Sequence, residues 1–215
     1  FDFQHQLDVQ YAVGRLHFDT IEEYASYACS VVRAEQRPPL RPQRLTFFEV
    51  ANPGDRATES SSRQLIAPLY QSFACRAEPA AASWEIARIP PPEAAKARLR
   101  RLLSAEAPAL LFTASHGMGF KAGNPDQPRR QGSLLCQDWP GPSHIGPIPH
   151  EYYFAAEDVD DSADLHGMML FLFACYSAGT PELDSFTQAS VPVVRAPSAL
   201  SSALPQRLLS HPAGG

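Results

Sequence analysis

Cysteine is scarce and scattered in this sequence. Cys29, Cys75, Cys136 and Cys175 lie far apart and form no CxxC pair. In a chain of 215 residues they do not read as a disulfide framework, and a reducing cytoplasm is the simpler setting. Long apolar runs are missing too: none approaches the roughly 18 residues that suggest a membrane span. The first residues, Phe1-Asp2-Phe3-Gln4, have neither the basic flank nor the apolar stretch of a signal peptide. They also lack methionine, as expected of a processed or trimmed chain. Positive charge is in the minority, with 18 Lys and Arg against 23 Asp and Glu and a net charge of -5. That balance excludes the broad basic surface needed to bind nucleic acid or anionic membranes. Charged residues are only 19% and hydrophobic ones 44%, which excludes a wholly disordered chain and supplies a core of one α/β domain's size.

Periodicity divides the chain in two. Residues 1–43 form an N-terminal helical extension. In it, Ile21, Tyr24, Ala25, Ala28 and Val31 recur at helical spacing behind a cap at Asp19 or Thr20. Arg37 to Pro42 is an extended, proline-rich linker. Residues 44–215 then alternate strand and helix. The strands are Leu45–Val50, Trp84–Ile89, Ala109–Ala114 and Met168–Ala174. Helices are predicted at Ser60–Phe73, Glu93–Ala105 and Leu204–Ser210. This alternation predicts an α/β fold of three layers, a mostly parallel sheet with helices on both faces. Between the third and fourth strands, Gly119–Gly132 and Trp139–Pro149 are Gly- and Pro-rich and read as mobile loops. Gly132–Trp139 reads as one arm of a hairpin, and the acidic run Asp158–Asp164 as a solvated loop. A last, short strand is expected at Val191–Val194.

Ligands of parallel α/β sheets bind beyond the carboxyl ends of the strands. Two predicted strands end there in reactive groups: Ala114-Ser115-His116-Gly117 and Ala174-Cys175-Tyr176-Ser177-Ala178-Gly179. On neighbouring strands His116 and Cys175 meet at one edge. An imidazole is the base or cation that turns a thiol into a nucleophilic thiolate. Gly117, without a side chain, lets its N–H approach a substrate carbonyl, and with the N–H of Cys175 it forms an oxyanion hole. Cys29, Cys75 and Cys136 read as buried small hydrophobes.

The His-Gly after one apolar strand and the Ala-Cys after the next resemble the caspase-like cysteine peptidase clan, which includes caspases, gingipains and CHAT domains. The resemblance covers about residues 44 to 190, and the spacing of 59 residues, 175 minus 116, is close to the roughly 50 of caspases. It implies a three-layer caspase-like domain and a cysteine endopeptidase that cleaves a protein or peptide substrate through a Cys-His dyad, with no cofactor. It also implies control by an activating partner or by processing, and a bacterial setting of regulated proteolysis or antiviral defence. Twenty-one prolines with many Ala and Arg agree with a bacterial source. Substrate contacts are expected from Asp138, Phe173, Arg56 and Glu182, with Arg63 as the other candidate for the basic residue after the first strand.

The sequence departs from the clan in two places. Caspases have Gln, and metacaspases Asp, two residues before the cysteine; here Phe173 stands there, so neither specificity transfers. Only forty residues, 215 minus 175, follow the cysteine, where the clan has two further strands. The edge beside the Cys175 strand is therefore expected to be covered by a second fragment of the same chain or by a partner domain. Three other readings stand beside this one. The fold is a catalytically silent binding scaffold; or Ser177 is the nucleophile of a serine hydrolase, with Asp184 and His211 in G-x-S-x-G order; or Cys136, His144, His150 and His166 hold zinc, although their spacing matches no zinc pattern.

Overall fold

In a computed structural model the chain is described at residues 14–36, 41–76, 84–184, 192–212 and 214. Most of the expected linker, residues 37–40, and the start of the last expected strand lie outside these.

Four strands form one parallel sheet. They are β1 (Arg44–Glu49), β2 (Glu85–Ile89), β3 (Leu110–Ala114) and β6 (Met169–Phe173), in the order β2-β1-β3-β6. These four match their expected ranges within one residue at either end, whereas of the strand expected at Val191–Val194 the described part holds only an isolated bridge from Val194 to Leu183. Leu45 is level with both Ile86 and Leu110, and Leu110 with Met169, so all four carboxyl ends collect at one edge.

Alternation along the strands sorts two cores. On one face Leu45 and Phe47 pack with Phe112 and Ala114 against Ile66, Leu69 and Tyr70. The covering rod is α2 (Arg56–Ser61), a π-helical turn (Ser62–Ile66) and α3 (Ala67–Arg76). On the other face Phe48, Val50, Leu111 and Leu172 meet Leu99 and Leu102 of α4 (Lys96–Leu102) and Leu204 and Leu208 of α6 (Ala203–Ser210). Helices on both faces of a parallel sheet make the fold three-layer α/β.

The extension is joined to this body. Its helix α1 (Ile21–Gln36) begins at a reciprocal cap: the backbone of Thr20 donates to the Glu23 carboxylate at 2.9 Å, and Glu23 N–H donates to Thr20 Oγ1 at 3.3 Å. Further on, the Arg41 guanidinium donates to the carbonyls of His166 and Asp164. The remaining short elements are α5 (Gln127–Arg130), the antiparallel pair β4 (Leu134–Leu135) and β5 (Tyr153–Phe154), and the pair β7 (Gly179–Thr180) and β8 (Leu200–Ser201).

Four expectations are corrected. Cys29 and Cys75 are exposed, not buried. Cys29 is exposed on α1 among the described residues, and residues 71–75 at the end of α3 are all exposed. The helix expected from Glu93 starts only at Lys96, because Pro91–Glu93 closes a 3-10 turn and Ala94 leaves helical geometry. The acidic run is not simply solvated: Asp158 is buried and is held by Lys96 and His150 at 2.9 Å and by Arg100 at 3.1 Å. The Gly119–Gly132 segment is tied down, since buried Gln127 donates to the carbonyls of Phe120 and Arg195 and buried Gln131 donates to Thr180.

No helix among the described residues is long and apolar enough to cross a membrane.

Candidate active site

The loops that follow β1, β3, β4 and β6 converge where the strands end. Ala114 is level with Phe173, and Ser115 N–H donates to Phe173 O at 3.2 Å. Two residues on come His116 and Cys175, and the two loops touch there. The contact is through backbone: a Cβ built on Gly117 would lie 1.7 Å from the Cys175 carbonyl oxygen. Only glycine fits there.

His116 is fixed from the opposite side. Its Nε2 lies 2.5 Å from Asp55 Oδ2, and Trp139 sits edge-on to the imidazole with ring centroids 6.4 Å apart. Asp55 caps α2 by accepting from Ala57 N–H, and it accepts from Thr58 Oγ1 at 2.8 Å. Burial pushes the Asp55 carboxyl up, but the Thr58 hydroxyl, the His116 imidazole and the Ala57 N–H outweigh it, and its pKa falls below the ordinary carboxylate value. Asp55 is thus a carboxylate at neutral pH and an acceptor only. It receives the Nε2 proton, which leaves Nδ1 as the unprotonated nitrogen of the neutral ring. The assignment follows from the hydrogen-bond network. Among the described residues no hydrogen bond joins His116 to Cys175, whose side chain is exposed.

The turn that carries Cys175 is clamped. Tyr176 has φ of 60°, a left-handed conformation that an aromatic residue adopts only when its surroundings impose it. Its carbonyl accepts from Ser202 Oγ. A Cβ on Gly132 would come within 2.3 Å of the same carbonyl oxygen. The N–H groups of Gly117 and Cys175 have no protein acceptor among the described residues. Across the cleft the β1 loop is sewn to the β4 loop: Asn52 donates to the carbonyls of Cys136 and Trp139, and Ala51 exchanges two 2.9 Å hydrogen bonds with Gln137.

Gly117→Ala follows directly as a test of this packing. Overfilling a tight contact costs about 1–3 kcal/mol. Because the obstructing atom is backbone, the cost is expected at the upper end. Urea unfolding checks it; a variant as stable as wild type would mean that the Gly117–Cys175 contact is loose.

The other expected site residues are placed as follows. Phe173, the last residue of β6, is 48% exposed and stands two residues before Cys175. Arg56 is exposed on the first turn of α2, next to Asp55. Asp138 is engaged elsewhere, accepting from the Lys96 N–H at 2.6 Å at the start of α4. Glu182 is exposed beyond β7. Arg63 is exposed and pairs with Glu59.

Ser177 is a local hydrogen-bonder: its hydroxyl donates to Ala174 O at 2.9 Å. Asp184 is paired with Arg195, and buried His211 is held below the ordinary imidazole pKa by desolvation and by Arg207. Among the described residues no three His, Cys, Asp or Glu side chains are placed to hold a metal ion. Cys136 is buried and donates to Leu134 O, with its pKa driven far up by desolvation. His144 contacts Pro147 O, and His150 pairs with Asp158.

Sequence reasoning did not find Asp55, which closes the turn Asn52-Pro53-Gly54-Asp55 after β1. A signal was available: all strand ends of a parallel sheet meet at one edge, so a carboxylate after β1 reaches a histidine after β3. Compared with protein families, with curated proteins and with solved structures, the chain matches none.

Proposed function

We propose that this chain is a cysteine endopeptidase of the caspase-like kind, working through Cys175, His116 and Asp55. The observation that carries the reading is the imidazole of His116, held by a buried carboxylate, on the loop whose next residue, Gly117, packs on the Cys175 backbone. The thiol of Cys175 passes its proton to His116 Nδ1, and the sulfur attacks the scissile carbonyl carbon. Charge on the oxygen meets the N–H groups of Gly117 and Cys175. The C–N bond breaks as His116 returns the proton to the amine, leaving a thioester on Cys175. Water, giving up a proton to His116, attacks that thioester; the acid leaves and the thiol reforms. Asp55 holds the ring and stabilises the imidazolium while it exists.

Phe173, exposed beside Cys175, and Arg56, exposed beside Asp55, are the substrate contacts this reading favours; Asp138, already bonded to α4, is the weakest of the four. Control by a partner would act through the Trp139–Pro149 loop, because Trp139 packs against His116. Ser177, whose hydroxyl is bonded to a backbone carbonyl, makes a serine mechanism the poorer fit.

The test is digestion of a peptide library by the full chain during timed alkylation with iodoacetamide, with the modified cysteines mapped by mass spectrometry. Cleavage is expected to decline in step with modification of Cys175 and not with that of the equally exposed Cys29 and Cys75. Cleavage that survives complete modification of Cys175 overturns the mechanism, and a library left uncut supports the silent-scaffold reading.

A further inference from the structure

Two local rules are broken at the two ends of one hydrogen bond. Ser202 stands at the cap position before α6, where a serine hydroxyl ordinarily accepts from the first turn of the helix. Here it makes no cap bond. Its hydroxyl donates instead to the carbonyl of Tyr176, and the residue is fully buried. Tyr176 is the other exception. Among the described residues it alone has a positive φ without being glycine, at 60°. A bulky residue stays in that region only where its surroundings hold it. Local exceptions of this kind collect where function requires them. In effect α6 forgoes a cap, and the turn after Cys175 gains a clamp.

The clamp joins the nucleophile's turn to the histidine's loop. Residues 116–118 run antiparallel to 133–135 about a bridge between Gly117 and Leu134. Leu135 N–H donates to His116 O at 2.9 Å, and Met118 N–H donates to Ser133 O and Gly132 N–H to Met118 O, both at 2.8 Å. Gly132 thus belongs to the hairpin that carries His116, and it is the residue pressed on Tyr176. A Cβ on Gly132 would lie 2.3 Å from Tyr176 O and 2.8 Å from Ser202 Oγ. The Tyr176 ring turns back onto the same hairpin, where a Cβ on Gly119 would stand 3.2 Å from its Cε2. Ser202 also grips the far arm of the turn, its N–H donating to Ala178 O at 3.2 Å. Relaxing Tyr176 to a negative φ would reorient the peptide between Cys175 and Tyr176, and with it the Cys175 side chain and N–H.

We propose that Ser202 is a positioning residue for Cys175: its hydroxyl holds Tyr176 in the left-handed conformation and so keeps the nucleophile in register with the His116 hairpin. The role rests on the cysteine mechanism proposed above.

The experiment compares Ser202→Ala, Tyr176→Asn and the double variant with wild type, all as the full chain. The nuclear Overhauser effect between the amide and α-proton of Tyr176 is strong only at positive φ. It is expected to be strong in wild type and weak in Ser202→Ala. Peptide cleavage is measured per folded molecule. Ser202→Ala should lower kcat by about ten-fold or more, as a slight misplacement of a reacting group does, and leave KM within about two-fold. Asparagine enters the left-handed region more readily than tyrosine. In the Tyr176→Asn background Ser202→Ala should therefore cost less than about three-fold, a coupling that a serine serving only the fold would not show. Should Ser202→Ala fail to fold, Ser202→Cys replaces it; its thiol is a weak donor of similar size, and kcat should fall by about three-fold or more. A wild type without the Overhauser effect would overturn the proposal. So would a folded variant at position 202 that keeps wild-type kcat, or an equal cost of Ser202→Ala in both backgrounds. A wild type that shows the Overhauser effect but cuts no peptide refutes the cysteine mechanism, and this role with it, while the clamp itself stands.

Discussion

Cys175→Ala is expected to abolish peptide cleavage outright while changing stability by no more than about 0.5 kcal/mol, since it removes one exposed sulfur. His116→Ala should lower kcat/KM on the order of 10²-fold or more, the usual worth of a general acid–base group. Asp55→Asn preserves shape and helix cap but presents a donor where Nε2 needs an acceptor. It should cost on the order of 10²- to 10⁴-fold, because the imidazole settles in the wrong tautomer. Ser177→Ala should cleave as wild type does. An active Cys175→Ala beside a dead Ser177→Ala would transfer the chemistry to the serine. Asp55 has a second readout. Its folded pKa is depressed, so the stability it contributes is complete above the unfolded value of about 3.9 and is lost as pH falls through the lower folded value. The stability difference between wild type and Asp55→Asn should therefore shrink as pH falls from about 5 to 2 in urea titrations, while the loss due to the other carboxylates is common to both.

Arg88→Ala is expected to destabilise the fold by about 3 kcal/mol. Glu49, at the end of β1, is fully buried and accepts from Arg88 Nε at 2.6 Å, from Arg88 Nη2 at 2.9 Å and from Ser62 Oγ at 2.5 Å. Removing one partner of a buried pair costs about 3–5 kcal/mol because a charge is left uncompensated. Arg88 is 32% exposed, so water repays part of the loss and the lower end applies. Arg88→Lys keeps the charge but not the two-pronged fork and should cost less. The double variant Arg88→Met, Glu49→Gln should recover part of the loss, since no charge remains to be paired. Equilibrium urea unfolding measures all four; an Arg88→Ala within about 0.5 kcal/mol of wild type would mean that the pair adds nothing. The consequence would reach the site. Glu49 ties β1 to the π-helical turn, and the same rod begins at Asp55.

The four strands were legible because each is a short apolar run with turn residues around it, and a buried parallel strand allows little else. His116 and Cys175 were legible because strand ends are where such folds place chemistry. Asp55 was not, because Asn-Pro-Gly-Asp carries so strong a turn signal that the carboxylate's second use is hidden. The exposure of Cys29 and Cys75 was not either, since which side of a helix is covered depends on what packs there and not on the residue alone.

Local pattern by itself determined strand and helix order, the α/β class and the position of His116 and Cys175 just past the ends of two strands, because these rest on periodicity over a few neighbours. Tertiary structure alone decided what meets across long separations. It set Asp55 against His116, the Gly117 backbone against Cys175, and Asp138 on the start of α4. Such meetings depend on strand order and register, which no short stretch of sequence encodes.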